Sequence, residues 1–200
     1  MSGEPPEVQD LFDRIHGCLP LAVALEAVGF RSAGVRYASE ADLMSGEGAG
    51  YYGGRWNPPG VKAVYLSLDP DTAIKESYCQ FAAFGFLNST IRPRVIAGAR
   101  LRLRQLLDLT DARARRRLGF RLDELTGEDW HAIQMAGEES WTQAIGRGCR
   151  WVGFEGLIAP SARLRRGKNV VVFPDKLDAS STIDVMARED LPPHPSDWPG

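Results

Sequence analysis

The stretch from Val35 to Gly60 constrains this chain most, because Gly46, Gly48, Gly50, Gly53, Gly54 and Gly60 fall within it together with Pro58 and Pro59. Glycine tolerates left-handed backbone and close approach, and proline removes a backbone donor. So dense a mixture predicts a long, tightly turned segment that cannot be regular helix. Loops of that length inside a domain tend to carry function. Around it the composition is ordinary: 200 residues, 44% hydrophobic, 24 Lys+Arg against 26 Asp+Glu, and a formal charge of −2. A chain of this size buries about 70% of its unfolded surface around one core, which argues against a disordered, collagen-like or strongly nucleic-acid-coated molecule. Cys18, Cys79 and Cys149 are odd in number, far apart and in no CxxC pattern. Neither a disulfide framework nor a cysteine zinc site is expected, and a reducing cytoplasm fits. No basic-then-apolar leader and no run approaching ~20 apolar residues is present, so a soluble, untargeted chain is expected.

Local patterns suggest a mixed α/β chain. Val8, Leu11, Phe12 and Ile15 lie at i, i+3, i+4 and i+7, one face of a helix. Pro20 breaks it, and a second short helix is expected from Leu21 to Val28, ending at Gly29. The two would form an N-terminal helical hairpin over residues 1–30, with a face that could serve a dimer. Beyond the glycine-rich segment, Ala63–Ser67 reads as a buried strand, and Asp69-Pro70-Asp71 opens a helix over Thr72–Phe84 that carries Glu76. Arg94–Leu109 alternates arginine and leucine, as a half-exposed strand does. Asp108–Asp111 then caps a basic helix with Arg113, Arg115, Arg116 and Arg117. Trp130–Gly146 looks helical, and Leu157–Ala159 and Asn169–Phe173 look like strands. A proline-rich tail occupies 183–200, leaving 31–182 as the body of the domain.

Several familiar chemistries lack their anchors. Gly48-Ala49-Gly50-Tyr51-Tyr52-Gly53 satisfies G-x-G-x-x-G, but the dinucleotide fingerprint needs a helix to follow, and Arg55-Trp56-Asn57-Pro58-Pro59 follows instead. Neither GxxxxGK[ST] nor GxSxG occurs. His16, His131 and His194 are scattered, so no metal site is expected. The arginines at 100–104, 113–117 and 163–166 fall on different elements of a slightly acidic chain. They read as solvated faces, with an acidic protein partner as the sharper alternative and no direct nucleic-acid binding expected.

One set of residues is more specific. Arg36-Tyr37, Gly53-Gly54-Arg55-Trp56-Asn57, Tyr65, Glu76, Pro160-Ser161-Ala162 and Asn169-Val170-Val171-Val172 together resemble the RES-domain family, the toxin half of Xre–RES toxin–antitoxin pairs. The resemblance runs from about Val35 to Pro174. It implies a small mixed sheet with flanking helices, distantly like the ADP-ribosyltransferase toxins, and cleavage of the bond between nicotinamide and ribose in NAD. It also implies a separate Xre-like antitoxin as partner, with no metal required.

The residue types suit that chemistry. Nicotinamide leaves NAD as a neutral molecule, so departure needs no general acid, and positive charge gathers on the ribose in an oxocarbenium-like transition state. The resemblance gives Glu76 the task of stabilising that charge. Arg36 and Arg55 would clamp the diphosphate, and Tyr37 and Tyr65 would stack on the cationic nicotinamide. The glycines beside Arg55 would let the backbone approach the dinucleotide, and Ser161 would donate a hydrogen bond to it. Trp56 and Asn57 would shape the turn. Water, phosphate or a protein side chain could each accept the ADP-ribose. Ile74 stands where an arginine-modifying transferase has its second carboxylate, which tilts the choice to a small acceptor. The competing readings are a protein-modifying ADP-ribosyltransferase and a non-catalytic nucleotide- or partner-binding module.

Overall fold

The computed structural model describes residues 6–83 and 94–193. Six strands make one mixed sheet: β1 (Val23–Gly34), β2 (Val64–Ser67), β3 (Arg94–Asp108), β4 (Gly156–Pro160), β5 (Lys168–Val172) and β6 (Thr182–Val185). Their order is β1-β2-β5-β4-β3-β6, and β1 also pairs with β3, so the first five strands form a closed circuit of pairings with β6 outside it. The β1–β3 ladder is the longest, running antiparallel from Val23 opposite Leu106 to Gly34 opposite Arg94. Only β3 and β4 run parallel.

The alternation of β3 sorts its side chains as the sequence predicts: Leu101 and Leu103 are buried, while Arg100, Arg102 and Arg104 are exposed. Two cores result from the two faces of the strands. Leu66, Leu101, Leu103, Leu106, Val170 and Val172 pack within the circuit. Leu107, Leu157, Val171 and Phe173 pack outward against α1 (Pro6–His16), α5 (Ala112–Leu118) and α8 (Trp141–Val152). A buried carboxylate, Glu155, ties this end of the sheet together by accepting from the Arg104 and Asp178 backbone N–H groups and the Ser181 hydroxyl.

The structure departs from the sequence reading in three places. The helical hairpin does not exist: α1 forms, but after a 3₁₀ turn at Leu19–Leu21 the chain enters β1. Residues 23–28 alternate half-buried and exposed, a period of two that outweighs the helix propensity of Leu, Ala and Glu. Leu11, Phe12 and Ile15 of α1 are buried in the core, so the face expected to serve a dimer is already covered. Secondly, the glycine-rich segment does contain helix, in two six-residue pieces, α2 (Glu40–Ser45) and α3 (Glu47–Tyr52). Gly46, left-handed at φ 67°, separates them, and the Ser39 hydroxyl caps α2 by accepting from the Asp42 N–H. Gly48 and Gly50 lie inside α3, which removes any phosphate-binding loop from the G-x-G-x-x-G match. Thirdly, Trp130–Gly146 is two helices, α7 (Trp130–Met135) and α8, with Ser140 and Gln143 capping α8 reciprocally. A further short helix, α6 (Leu122–Gly127), precedes α7. The helix bearing Glu76, α4, runs Pro70–Ala83; Phe84, the end expected for it, and the tail from His194 onward lie outside the described residues.

Candidate active site

Glu76 owes its position to a start signal. The Asp69 carboxylate accepts from the Thr72 N–H at 2.8 Å and its hydroxyl at 2.6 Å, Pro70 supplies the first turn, and α4 then presents Glu76 on its second turn. The half-buried carboxylate meets two donors from the sheet. Ser161 Oγ donates to Glu76 Oε1 at 2.5 Å, and Asn169 Nδ2 donates to the same oxygen at 2.9 Å. Asn169 is aimed in turn by Ser67, whose hydroxyl donates to Asn169 Oδ1 at 2.7 Å. Register explains the set: Ser67 of β2 and Ala159 of β4 both lie directly opposite Asn169 of β5. Both donors use Oε1, which leaves Oε2 for a ligand.

Ser161 is itself saturated. Its oxygen accepts the Arg163 and Leu164 backbone N–H groups at 3.1 and 2.9 Å, and its one proton goes to Glu76. Ser161 therefore orients the carboxylate, and the hydroxyl donor expected for the dinucleotide is not available in this arrangement.

The second wall is the Gly53–Gly60 turn. Gly54 and Asn57 bond each other's backbone, and the fully buried Asn57 amide donates to the Ala49 and Val61 carbonyls. Tyr65 reaches across from β2, its hydroxyl donating to Asn57 Oδ1 at 2.7 Å and accepting from the Trp56 N–H at 2.9 Å. From the other side Gln143 of α8 donates to the Gly54 carbonyl at 3.2 Å. Trp56 and Asn57 thus shape the turn. The glycines serve this packing rather than a dinucleotide: a Cβ on Gly54 would stand 2.6 Å from the Tyr65 hydroxyl, and one on Gly53, at φ 75°, would stand 2.3 Å from Gln134 Oε1. Replacing Tyr65 with phenylalanine leaves two buried groups short of a partner. We expect a loss of about 2 kcal/mol and of about 4–8 °C in Tm, read by thermal denaturation; an unchanged Tm would mean that only the aromatic face of Tyr65 matters.

Arg55 leaves this turn with Nη1 bound to the Leu125 and Glu128 carbonyls at 3.2 and 2.9 Å. Burial lowers its pKa, the Glu76 carboxylate offsets part of that shift, and the like charge of Arg163 adds to it. The guanidinium thus stands near Glu76 without forming an ion pair with it. Arg31 of β1 lies behind Tyr65, with Nη1 3.5 Å from the Tyr65 carbonyl and a buried Nε that has no partner. Burial and the neighbouring Arg94 lower its pKa to about 10. Burial also raises the Tyr65 phenol, against the pull of the Trp56 N–H and of Arg55 and Arg31.

The structure thus gathers Glu76, Ser161, Arg55 and Tyr65. It does not bring Arg36 and Tyr37 to them by any hydrogen bond: both sit on a 3₁₀ turn after β1 and are exposed, Tyr37 to 70%. Asn169, Ser67, Arg31 and Gln143 belong to the site and went unassigned, because an isolated polar residue in a strand carries no sequence signal until its register is known. Among the described residues no cluster of side chains could hold a metal ion, and no helix is long and apolar enough to cross a membrane.

The family model described as the RES domain matches residues 29–194. The chain belongs to the RES-domain family. This RES domain is 31% identical over 127 residues to the NAD(+) phosphorylase MbcT of Mycobacterium bovis and of Mycobacterium tuberculosis. That alignment takes in 60% of the chain and 62% of the relatives' length. It also superposes on a chain of the crystal structure of the M. tuberculosis MbcT–MbcA toxin–antitoxin complex with a TM-score of 0.68, at 24% identity, over 88% of this chain and 89% of that one. The second likeness is one of fold: the circuit of strands and its helices form a mixed α/β domain, as the sequence suggested.

Proposed function

We propose that this RES domain cleaves the nicotinamide–ribose bond of NAD by transfer to inorganic phosphate, as the toxin of a toxin–antitoxin pair. The observation that carries the reading is Glu76: a lone carboxylate, oriented by two donors on one oxygen, open on the other, and set beside a buried arginine. Its free oxygen accepts a ribose hydroxyl while its charge offsets the cationic sugar of the transition state. Ser161 and Asn169 hold it in that pose, so little reorganisation is needed during reaction. Arg55 stabilises the dinucleotide's phosphates through the donors that the Leu125 and Glu128 carbonyls leave free. Arg36 and Tyr37, exposed at the end of β1, engage the ligand from the solvent side, Tyr37 offering the open aromatic face and Tyr65 chiefly holding the turn. Phosphate as acceptor follows the name borne by the mycobacterial relatives and the absence of a second carboxylate two residues before Glu76.

The partner in this reading is a separate neutralising protein that covers the mouth of the site, with a helix-turn-helix protein of the Xre type as its finer form. Incubating the purified chain with NAD, with and without phosphate, and identifying products by mass tests the enzymatic reading. Nicotinamide and ADP-ribose 1″-phosphate are expected; NAD left intact in the absence of any inhibitor protein overturns it.

A further inference from the structure

The loop between β4 and β5 carries three arginines, of which Arg163 stands apart from the other two by its place. It follows Ser161 by two residues, and its backbone N–H is bound to the same Ser161 Oγ that donates to Glu76. The loop is fixed rather than loose. Ser161 N–H donates to the Gly167 carbonyl at 2.8 Å, Gly167 N–H donates to the Leu164 carbonyl at 2.9 Å, and Gly167 packs so closely on Thr72 at the start of α4 that a Cβ there would stand 2.6 Å from the hydroxyl. The Arg163 side chain extends from this frame and is close enough to Arg55 for their like charges to act on each other.

Two guanidinium groups brought together beside a carboxylate they do not pair with form an arrangement that an anion would relieve. Glu76 is directed to Ser161 and Asn169, and Arg55 spends only Nη1 on protein acceptors. The fork geometry of two guanidiniums suits a tetrahedral oxyanion.

We propose that Arg163, with Arg55, forms the subsite for the attacking inorganic phosphate and so sets the choice of phosphate over water. This rests on the phosphorolytic reading above and deepens it. Because Arg163 is tied through Ser161 to the carboxylate that faces the ribose, an anion held there lies beside the anomeric carbon rather than out along the dinucleotide. An oxygen of hydrogen phosphate forms the new bond to that carbon as the carbon–nitrogen bond breaks, and the electron pair of that bond neutralises the nicotinamide. The proton on phosphate stays where it is, so no general acid or base enters. Two arginines also screen the approach of one anion to another, since Glu76 would otherwise repel its own co-substrate.

The test compares the parent with Arg163→Ala and Arg163→Gln, with Arg165→Ala as the control that removes one positive charge from the same loop. The KM for phosphate is expected to rise at least tenfold in both Arg163 variants, with the KM for NAD within twofold of the parent and free ADP-ribose replacing part of the 1″-phosphate. Arg165→Ala should match the parent. An unchanged KM for phosphate, or a rise in the KM for NAD instead, overturns the proposal, the latter by placing Arg163 on the dinucleotide. A second arm titrates inorganic phosphate against the proteins without NAD, following the phosphorus-31 line width. A parent that binds phosphate through Arg163 yet leaves NAD intact keeps the subsite and loses the reaction; a parent that does neither loses both. Thermal denaturation of each variant separates these effects from unfolding.

Discussion

Replacing Glu76 with glutamine is expected to lower the rate of nicotinamide release by about 10³-fold with little change in thermal stability. Glutamine keeps an oxygen for Ser161 and Asn169, so the side chain stays in place. What disappears is the negative charge opposite the developing cation, a loss of about 4 kcal/mol in transition-state stabilisation. The effect should fall on kcat, because the ground-state substrate carries its positive charge on the nicotinamide and not yet on the ribose. Nicotinamide release followed by chromatography, with NAD binding measured separately, checks both halves. Retention of more than a tenth of the parent rate would reduce Glu76 to a structural hydrogen-bond acceptor and remove the chemical basis of the proposed reaction.

The second large effect lies outside the site, at Gly146→Ala. Gly146 is on α8 where that helix crosses the Gly53–Gly60 turn, and a Cβ there would stand 1.7 Å from the Trp56 carbonyl oxygen. The obstacle is backbone on both sides, so neither partner can yield by a rotamer change; the helix and the turn must separate. We expect a loss of about 3 kcal/mol, the upper range for an overpacked core, and a fall of about 6–12 °C in Tm. Activity should fall as well, since Arg55 hangs from the displaced turn. Gly48→Ala is the matched control: nothing lies within 4 Å of its Cβ, and it sits inside α3. There the same substitution should be neutral or stabilise by up to about 1 kcal/mol. A Tm for Gly146→Ala equal to that of the control would mean that the contact is not maintained in solution.

The elements best read from sequence were those whose pattern alone decides them. The arginine–leucine alternation of β3 and the Asp69-Pro70 start of α4 are local signals, and both elements form where expected. Residues 21–28 show the limit. Leu, Ala and Glu favour helix on their own, but pairing with β3 converts that segment into the longest antiparallel ladder of the domain, and its partner lies some seventy positions away. The site follows the same division. The residues in the Gly-Gly-Arg-Trp-Asn turn, Tyr65, Glu76 and Ser161 were recognisable because their motifs are. Their tasks were less so: Tyr65 proves to hold the turn and Ser161 to hold Glu76, because hydroxyl partners depend on register. Asn169 and Ser67 could be placed only once β2 and β5 were seen side by side.

The partners of Glu76 come late in the chain: Ser161 follows it by 85 residues and Asn169 by 93. At ribosomal rates of about 5–20 residues per second, the interval between them is about 5–20 s. During that time the carboxylate has been made but nothing yet aims it, and β2 lacks its neighbour β5. The catalytic apparatus is therefore completed near the close of translation rather than built up gradually. A protein that arrests its own cell would gain from such timing, since the interval gives a co-expressed inhibitor the chance to be present before the first competent molecule exists.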